Sequence, residues 1–138
     1  MSKTDAFLVC DVMLPLGRFP VTPPSTFLKS ALEEMGKMGL GIVCVADADG
    51  KLAGILTDGD IRRRLLKVQK PFSSFFSDDV IDHAVKGPAT VRDGAPLSEA
   101  IDLMETKQVW DLPVIGDNDT LVGLLHLHPV VQILLNAD

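Results

Sequence analysis

"GILTDGDIRRRLL", residues 54–66, and "GLLHLHPVVQILL", residues 123–135, align without a gap when the chain is slid against itself by 69 positions. Both begin on a glycine followed by two aliphatic residues, and both end on a pair of leucines. The same offset sets Leu28 on Leu97, Ala31 on Ala100, Met35 on Met104, Val45 on Val114 and Leu52 on Leu121. A fixed offset of this kind marks one structural unit used twice.

Inside each copy the apolar positions follow a helical period. Leu28, Ala31, Leu32 and Met35 keep the i, i+3, i+4, i+7 spacing of one helical face, and Leu97, Ala100, Ile101 and Met104 repeat it. Next come two apolar runs around a polar turn: "GIVCVA" and "LAGILT" flank "DADG", while "DLPVI" and "LVGLLH" flank "GDND". That pattern predicts a β-hairpin. A closing helix is expected over about 60–67 and about 129–136, and a short leading strand near Val21–Thr22 and Ala89–Val91. The result is an α/β fold of two β-α-β-β-α units in a pseudo-twofold pair, because one unit alone would bury its sheet face poorly. Domain boundaries are expected at 1–67, with an N-terminal lead-in, and at 80–138, joined by a linker over 68–79. Phe72, Phe75 and Phe76 make that linker too apolar to be simply exposed, so they are expected to dock, and Trp110 is read as a packing residue.

Composition narrows the function classes. With 138 residues, 46% of them hydrophobic and 23% charged, the chain is long enough to bury a core without disulfides or metal. A net charge of -6 repels phosphate backbones and anionic lipid, so neither nucleic acid nor membrane is an expected partner. Cys10 and Cys44 are too few for a disulfide framework and lie in apolar context as small buried hydrophobes, which fits a reducing cytoplasm. No apolar run reaches the roughly 18 residues of a membrane span, and Asp5 and Asp11 interrupt any signal-like stretch.

Thr57 and Asp60 fall where a strand hands over to a helix, so a hydroxyl and a carboxylate converge on whatever sits at that helix N-terminus. The plainer alternative is that Asp60 only caps its helix. Arg62, Arg63 and Arg64 occupy the first turns, where the helix dipole disfavours cations, so an anion or local aspartates should compensate. Successive helical residues point about 100° apart, so all three cannot face one ligand. Asp58 and Asp60 have no nucleophile or oriented histidine beside them, which argues against acid/base catalysis. His126 and His128 are expected on one face of a strand, with no acidic partner nearby, too few for zinc and better suited to contacting a ligand.

Asp11-Val12-Met13, the run Gly54 to Asp60, and Leu112-Pro113-Val114-Ile115 with Leu121-Val122-Gly123 together resemble a pair of cystathionine β-synthase (CBS) domains, the Bateman module. "TDGDIRR", residues 57–63, is similar to the CBS pair at the C-terminus of arabinose-5-phosphate isomerases of the Kdo pathway; CBS-linked sugar nucleotidyltransferases carry a similar string. The resemblance implies that Thr57 and Asp60 contact phosphate and ribose, within a ligand-binding set of Thr22, Ile42, Thr57, Asp58, Asp60, Arg63, His126 and His128. It implies a non-enzymatic regulatory module with a nucleotide or nucleotide-sugar effector, adenosine nucleotide or CMP-sugar. No other cofactor and no metal are expected. It also implies a homodimer, and a sugar isomerase domain in cis or in trans. The alternative is a purely structural oligomerisation module. His126 and Pro129 stand where the second copy should repeat Thr57 and Asp60, so the first copy is the expected nucleotide site.

Overall fold

The computed structural model describes residues 6–135. In chain order the elements are α1 (Val9–Val12), β1 (Leu14–Pro15), β2 (Val21–Thr22), α2 (Leu28–Met38), β3 (Ile42–Ala46), β4 (Leu52–Thr57) and α3 (Asp58–Lys67). There follow α4 (Phe72–Phe76), α5 (Val80–His83), β5 (Val91–Arg92), α6 (Leu97–Lys107), β6 (Asp111–Ile115), β7 (Leu121–His126) and α7 (Leu127–Leu135). Both predicted hairpins form, β3 with β4 and β6 with β7, and each short leading strand runs parallel to its hairpin, β2 on β3 and β5 on β6. The closing helices begin two residues earlier than the sequence suggested, directly where the strands end, and the expected end at Asn136 lies outside the described residues.

The chain divides into two compact units, residues 17–88 and residues 6–16 with 89–135. In the first, Leu28, Ala31 and Met35 of α2 pack with Val43 and Val45 of β3, Leu56 of β4, and Phe75 and Val80. In the other, Leu97, Ala100 and Met104 of α6 pack with Leu112, Val114 and Leu125, joined by Val9 of the lead-in. The lead-in, placed with the first domain from sequence, therefore belongs with the second repeat, where β1 pairs antiparallel with β7.

Two glycines related by the repeat offset explain why. A side chain at Gly54 would meet the Val85 carbonyl at 2.9 Å, and one at Gly123 would meet the Leu14 carbonyl at the same distance. Each hairpin thus accepts a crossing segment on a bare strand position: residues 84–85 on β4, residues 13–14 on β7. The stretch 68–79, read as a linker, carries α4, and it docks through Phe75, which is fully buried. Phe72 departs from expectation: its ring is exposed and stacks only on Phe76 at 6.1 Å. Trp110 and Cys10 are also exposed, against the packing roles expected of them, because Trp110 precedes the first residue of β6 and Cys10 lies on the outer side of the one-turn helix α1; Cys44 is buried in β3.

The helix ends show where the repeats differ. α2 stops at Gly39, whose φ of 66° is the left-handed conformation that lets the last carbonyls be capped. α6 stops the same way at Gln108 with φ 53°, a backbone state that any side chain resists.

Candidate functional site: the hairpin end of the first repeat

Thr57 is the last residue of β4 and the N-cap of α3. Its hydroxyl accepts from the Asp60 backbone N–H at 3.2 Å, and the Asp60 carboxylate takes both the Thr57 N–H at 3.1 Å and the Thr57 hydroxyl proton at 2.9 Å. This reciprocal box satisfies two of the donors that every helix start leaves unpaired. Asp60 is therefore the third helical residue, closing the box from inside the helix. Its other carboxylate oxygen receives Arg63 Nη2 at 2.6 Å. Burial pulls the Asp60 carboxyl upward, but the bonds from Arg63 and Thr57 outweigh it and hold it below the ordinary 3.8.

The three arginines take three different roles. Arg63 clamps Asp60 while staying mostly exposed itself. Arg64 turns to the interior, where its Nε donates to His83 Nδ1 at 3.0 Å. Arg62 is exposed. His83 is buried, and with Nδ1 accepting, its Nε2–H donates to Asp78 Oδ2 at 2.8 Å, which also receives Lys70 Nζ at 2.6 Å. Lys70 first, and His83 second, hold the Asp78 carboxyl below 3.8. Sequence reading missed this chain of four side chains, since Arg64 on α3 and His83 on α5 are separated by the whole of α4 and share no periodic pattern.

Of the other expected ligand residues, Ile42 is the cross-strand partner of Thr57, so the two sit side by side at one end of the sheet. Asp58 starts α3 and donates its N–H to the Gly41 carbonyl at 3.0 Å; its carboxylate lies so near Gly41 that a side chain there would collide at 2.7 Å. It borders a depression of about 480 Å³ walled by Leu32, Met35, Leu40 and Ile61. Thr22 pairs with Val45, a core residue, which places it about three residues, or ~10 Å, farther along β3 than Ile42 and on the opposite sheet face from Thr57. The Thr22 hydroxyl is buried and has no hydrogen-bond partner.

In the second repeat His126 ends β7 and His128 lies in α7, so the two are not on one strand face, contrary to expectation: the helix begins between them. Nor does His126 lack an acidic partner, since its Nδ1 lies 2.6 Å from Asp111 Oδ1. Among the described residues no group of three or more His, Cys, Asp or Glu side chains is placed to hold a metal. No helix there is long and apolar enough to cross a membrane.

The CBS domain profile matches residues 9–67 and 78–131, one copy per repeat. This chain belongs to the CBS domain family. Relatives of the CBS pair include the arabinose 5-phosphate isomerase KdsD of Pseudomonas aeruginosa, 35% identical over 122 residues that make up 88% of this chain and 36% of that protein. An uncharacterised Helicobacter pylori protein is 32% identical over 126 residues, covering 91% of this chain and 37% of its own length. The chain thus spans little more than a third of the curated relatives it matches. Among solved structures, the CBS-pair protein CBSX2 of Arabidopsis thaliana, in complex with AMP, superposes with a TM-score of 0.81 at 29% identity, covering 94% of this chain and 96% of that one.

Proposed function

We propose that this CBS pair is a regulatory module without catalytic activity of its own, which binds a nucleotide or nucleotide-sugar at the hairpin end of its first repeat. Its occupancy passes to a sugar-phosphate isomerase domain, attached in cis or acting in trans. The observation that carries the reading is the convergence of Thr57, Asp60 and Arg63 at the N-terminus of a ten-residue helix. The helix start favours an anion, and Arg63 is exposed enough to swing from Asp60 onto a phosphate. That movement frees one oxygen of Asp60, a ready acceptor for a ribose hydroxyl. Thr57 keeps the helix capped throughout. The AMP bound to CBSX2 supports the ligand class, and the KdsD relatives support the parent activity.

Regulation requires the ligand to prefer one of two arrangements of the parent protein. A homodimer is the simplest carrier of such a preference. Leu66 and Leu135, matched by the repeat offset, are 76% and 79% exposed at the ends of α3 and α7, with Leu65 and Leu134 beside them. Apolar residues repeated in this way on both units suit an isologous contact. The same leucines support the second reading, an oligomerisation module that binds nothing.

Thermal unfolding with AMP, ATP, CMP and CMP-Kdo separates the two. A ligand at a hundred times its Kd stabilises by about 2.7 kcal/mol, a clear rise in Tm for a chain of this size. An unchanged Tm at millimolar concentrations of all four supports the oligomerisation module.

A further inference from the structure

The net charge of -6 is not shared between the two units. Residues 17–88 hold ten Lys and Arg against nine Asp and Glu, whereas residues 6–16 with 89–135 hold two against eight. The first unit is thus close to neutral, and the second carries the acidity of the chain.

The difference is concentrated beside the exposed leucines. On α3, Arg62, Leu65 and Leu66 share one exposed face at the spacing i, i+3, i+4, and Lys67 lies next to it. Arg63 is held by Asp60 and Arg64 by His83, but Arg62 and Lys67 have no partner among the described residues. In α7 the repeat keeps the leucines as Leu134 and Leu135 and replaces Arg62 by Val131, and the helix contains no charged residue. The helix α6, which packs on the same core cluster as α7, exposes Glu99, Asp102 and Glu105 at a spacing of three, against a single lysine in its last turn. None of the three acids has an ion-pair partner among the described residues.

A twofold pair of copies can close in two ways: like repeat on like repeat, or the first repeat of each copy on the second repeat of the other. Pairing like with like brings two Arg62 faces together, and two rows of acids with them. The other closure sets each basic face against an acidic row. Exposed ion pairs are individually weak, so the leucines supply the affinity and the charges select the orientation.

We infer that two copies of this chain associate head to tail, with the α3 face of each first repeat seated on α6 and α7 of the other copy's second repeat. The inference rests on the homodimer proposed above and adds its orientation. The helix whose start carries the proposed nucleotide site then lies against the second repeat of the other copy.

Cysteine trapping reads the orientation directly. In a Cys10→Ser background, Leu66→Cys and Leu135→Cys are prepared as separate chains of distinguishable mass and oxidised singly and mixed. Disulfide-linked pairs are expected in the mixture only. Linked pairs from either chain alone, or none from the mixture, overturn the inference while a dimeric mass in sedimentation leaves the homodimer standing; a single-chain mass for wild type removes both. Charge exchange gives an independent reading. Arg62→Glu with Lys67→Glu should raise the dissociation constant about tenfold, and adding Asp102→Lys with Glu105→Lys to the same chain should restore it, since both faces are then exchanged. Salt should weaken the wild-type dimer. A dimer that tightens with salt, or a quadruple variant no tighter than the double one, overturns the inference.

Discussion

Arg63 Nη2 sits 2.6 Å from Asp60 Oδ1, so the residue that closes the α3 capping box also holds the cation best placed to receive a phosphate. In the proposed function one carboxylate serves stability and recognition together. Its substitution should show in both readouts, and the Asn variant separates them, since it keeps the shape and one acceptor oxygen.

The pH dependence of unfolding follows from the same contact. Asp60 and Asp78 have folded carboxyls held below 3.8, so each contributes stability that is present above that value and lost as pH falls through the folded one. Asp111, raised by burial, acts in the opposite sense: its contribution is present below 3.8 and lost as pH rises through its folded value. Asp60→Asn should therefore flatten the acid limb of a Tm-against-pH curve, whereas Asp111→Asn should steepen it. Parallel acid limbs for wild type and Asp60→Asn would contradict the assignment.

Much of this was legible in the sequence because the repeat supplies two independent readings of each strand and helix in the β-α-β-β-α unit. Leu28, Ala31 and Met35 gave α2 by spacing, and their partners at 97, 100 and 104 gave α6. Thr57 and Asp60 were placed at the passage from strand to helix, but the helix was expected from about residue 60 with Asp60 as its cap, whereas Thr57 caps it and Asp60 closes the box from the third helical position. What escaped is non-local. The exchange of lead-in segments between the repeats depends on backbone crossing Gly54 and Gly123, and a glycine alone does not say what crosses it. The Arg64–His83 contact joins residues 19 apart on different helices, where no period points from one to the other, whereas the Asp111–His126 bond follows from the register of the predicted hairpin, which sets its first residue against its last.

His83→Leu tests the buried chain of contacts. It keeps most of the volume against Phe75, whose ring centre lies 4.6 Å away, but strips Arg64 Nε of its acceptor and Asp78 of one donor. A loss of about 1–3 kcal/mol in urea unfolding is expected. Asp78 keeps Lys70, so the loss should approach the lower end. A neutral result would mean that water replaces the histidine without penalty.

Gln108→Gly should stabilise the chain. Gln108 holds the left-handed conformation that its counterpart Gly39 adopts freely, and relief of that strain is worth about 1 kcal/mol. At this size the gain raises Tm by roughly 2–6 °C in calorimetry. A lowered Tm would show that the Gln108 side chain makes a compensating contact.

Self-association is checked by light scattering at micromolar concentration. About twice the chain mass of 14.9 kDa is expected for wild type, and the single-chain mass for Leu66→Glu with Leu135→Glu. A wild-type mass of one chain, unmoved by nucleotide, removes the dimer as the route of coupling.

The most direct measurement is isothermal titration calorimetry of AMP, ATP, CMP and CMP-Kdo into the wild-type chain and into Asp60→Ala, with circular dichroism confirming that the variant is folded. Saturable heat is expected for at least one ligand, with affinity reduced by about 1–3 kcal/mol in the variant because the ribose hydroxyl loses its acceptor. No heat from any ligand, or an affinity that Asp60→Ala leaves unchanged, would contradict it.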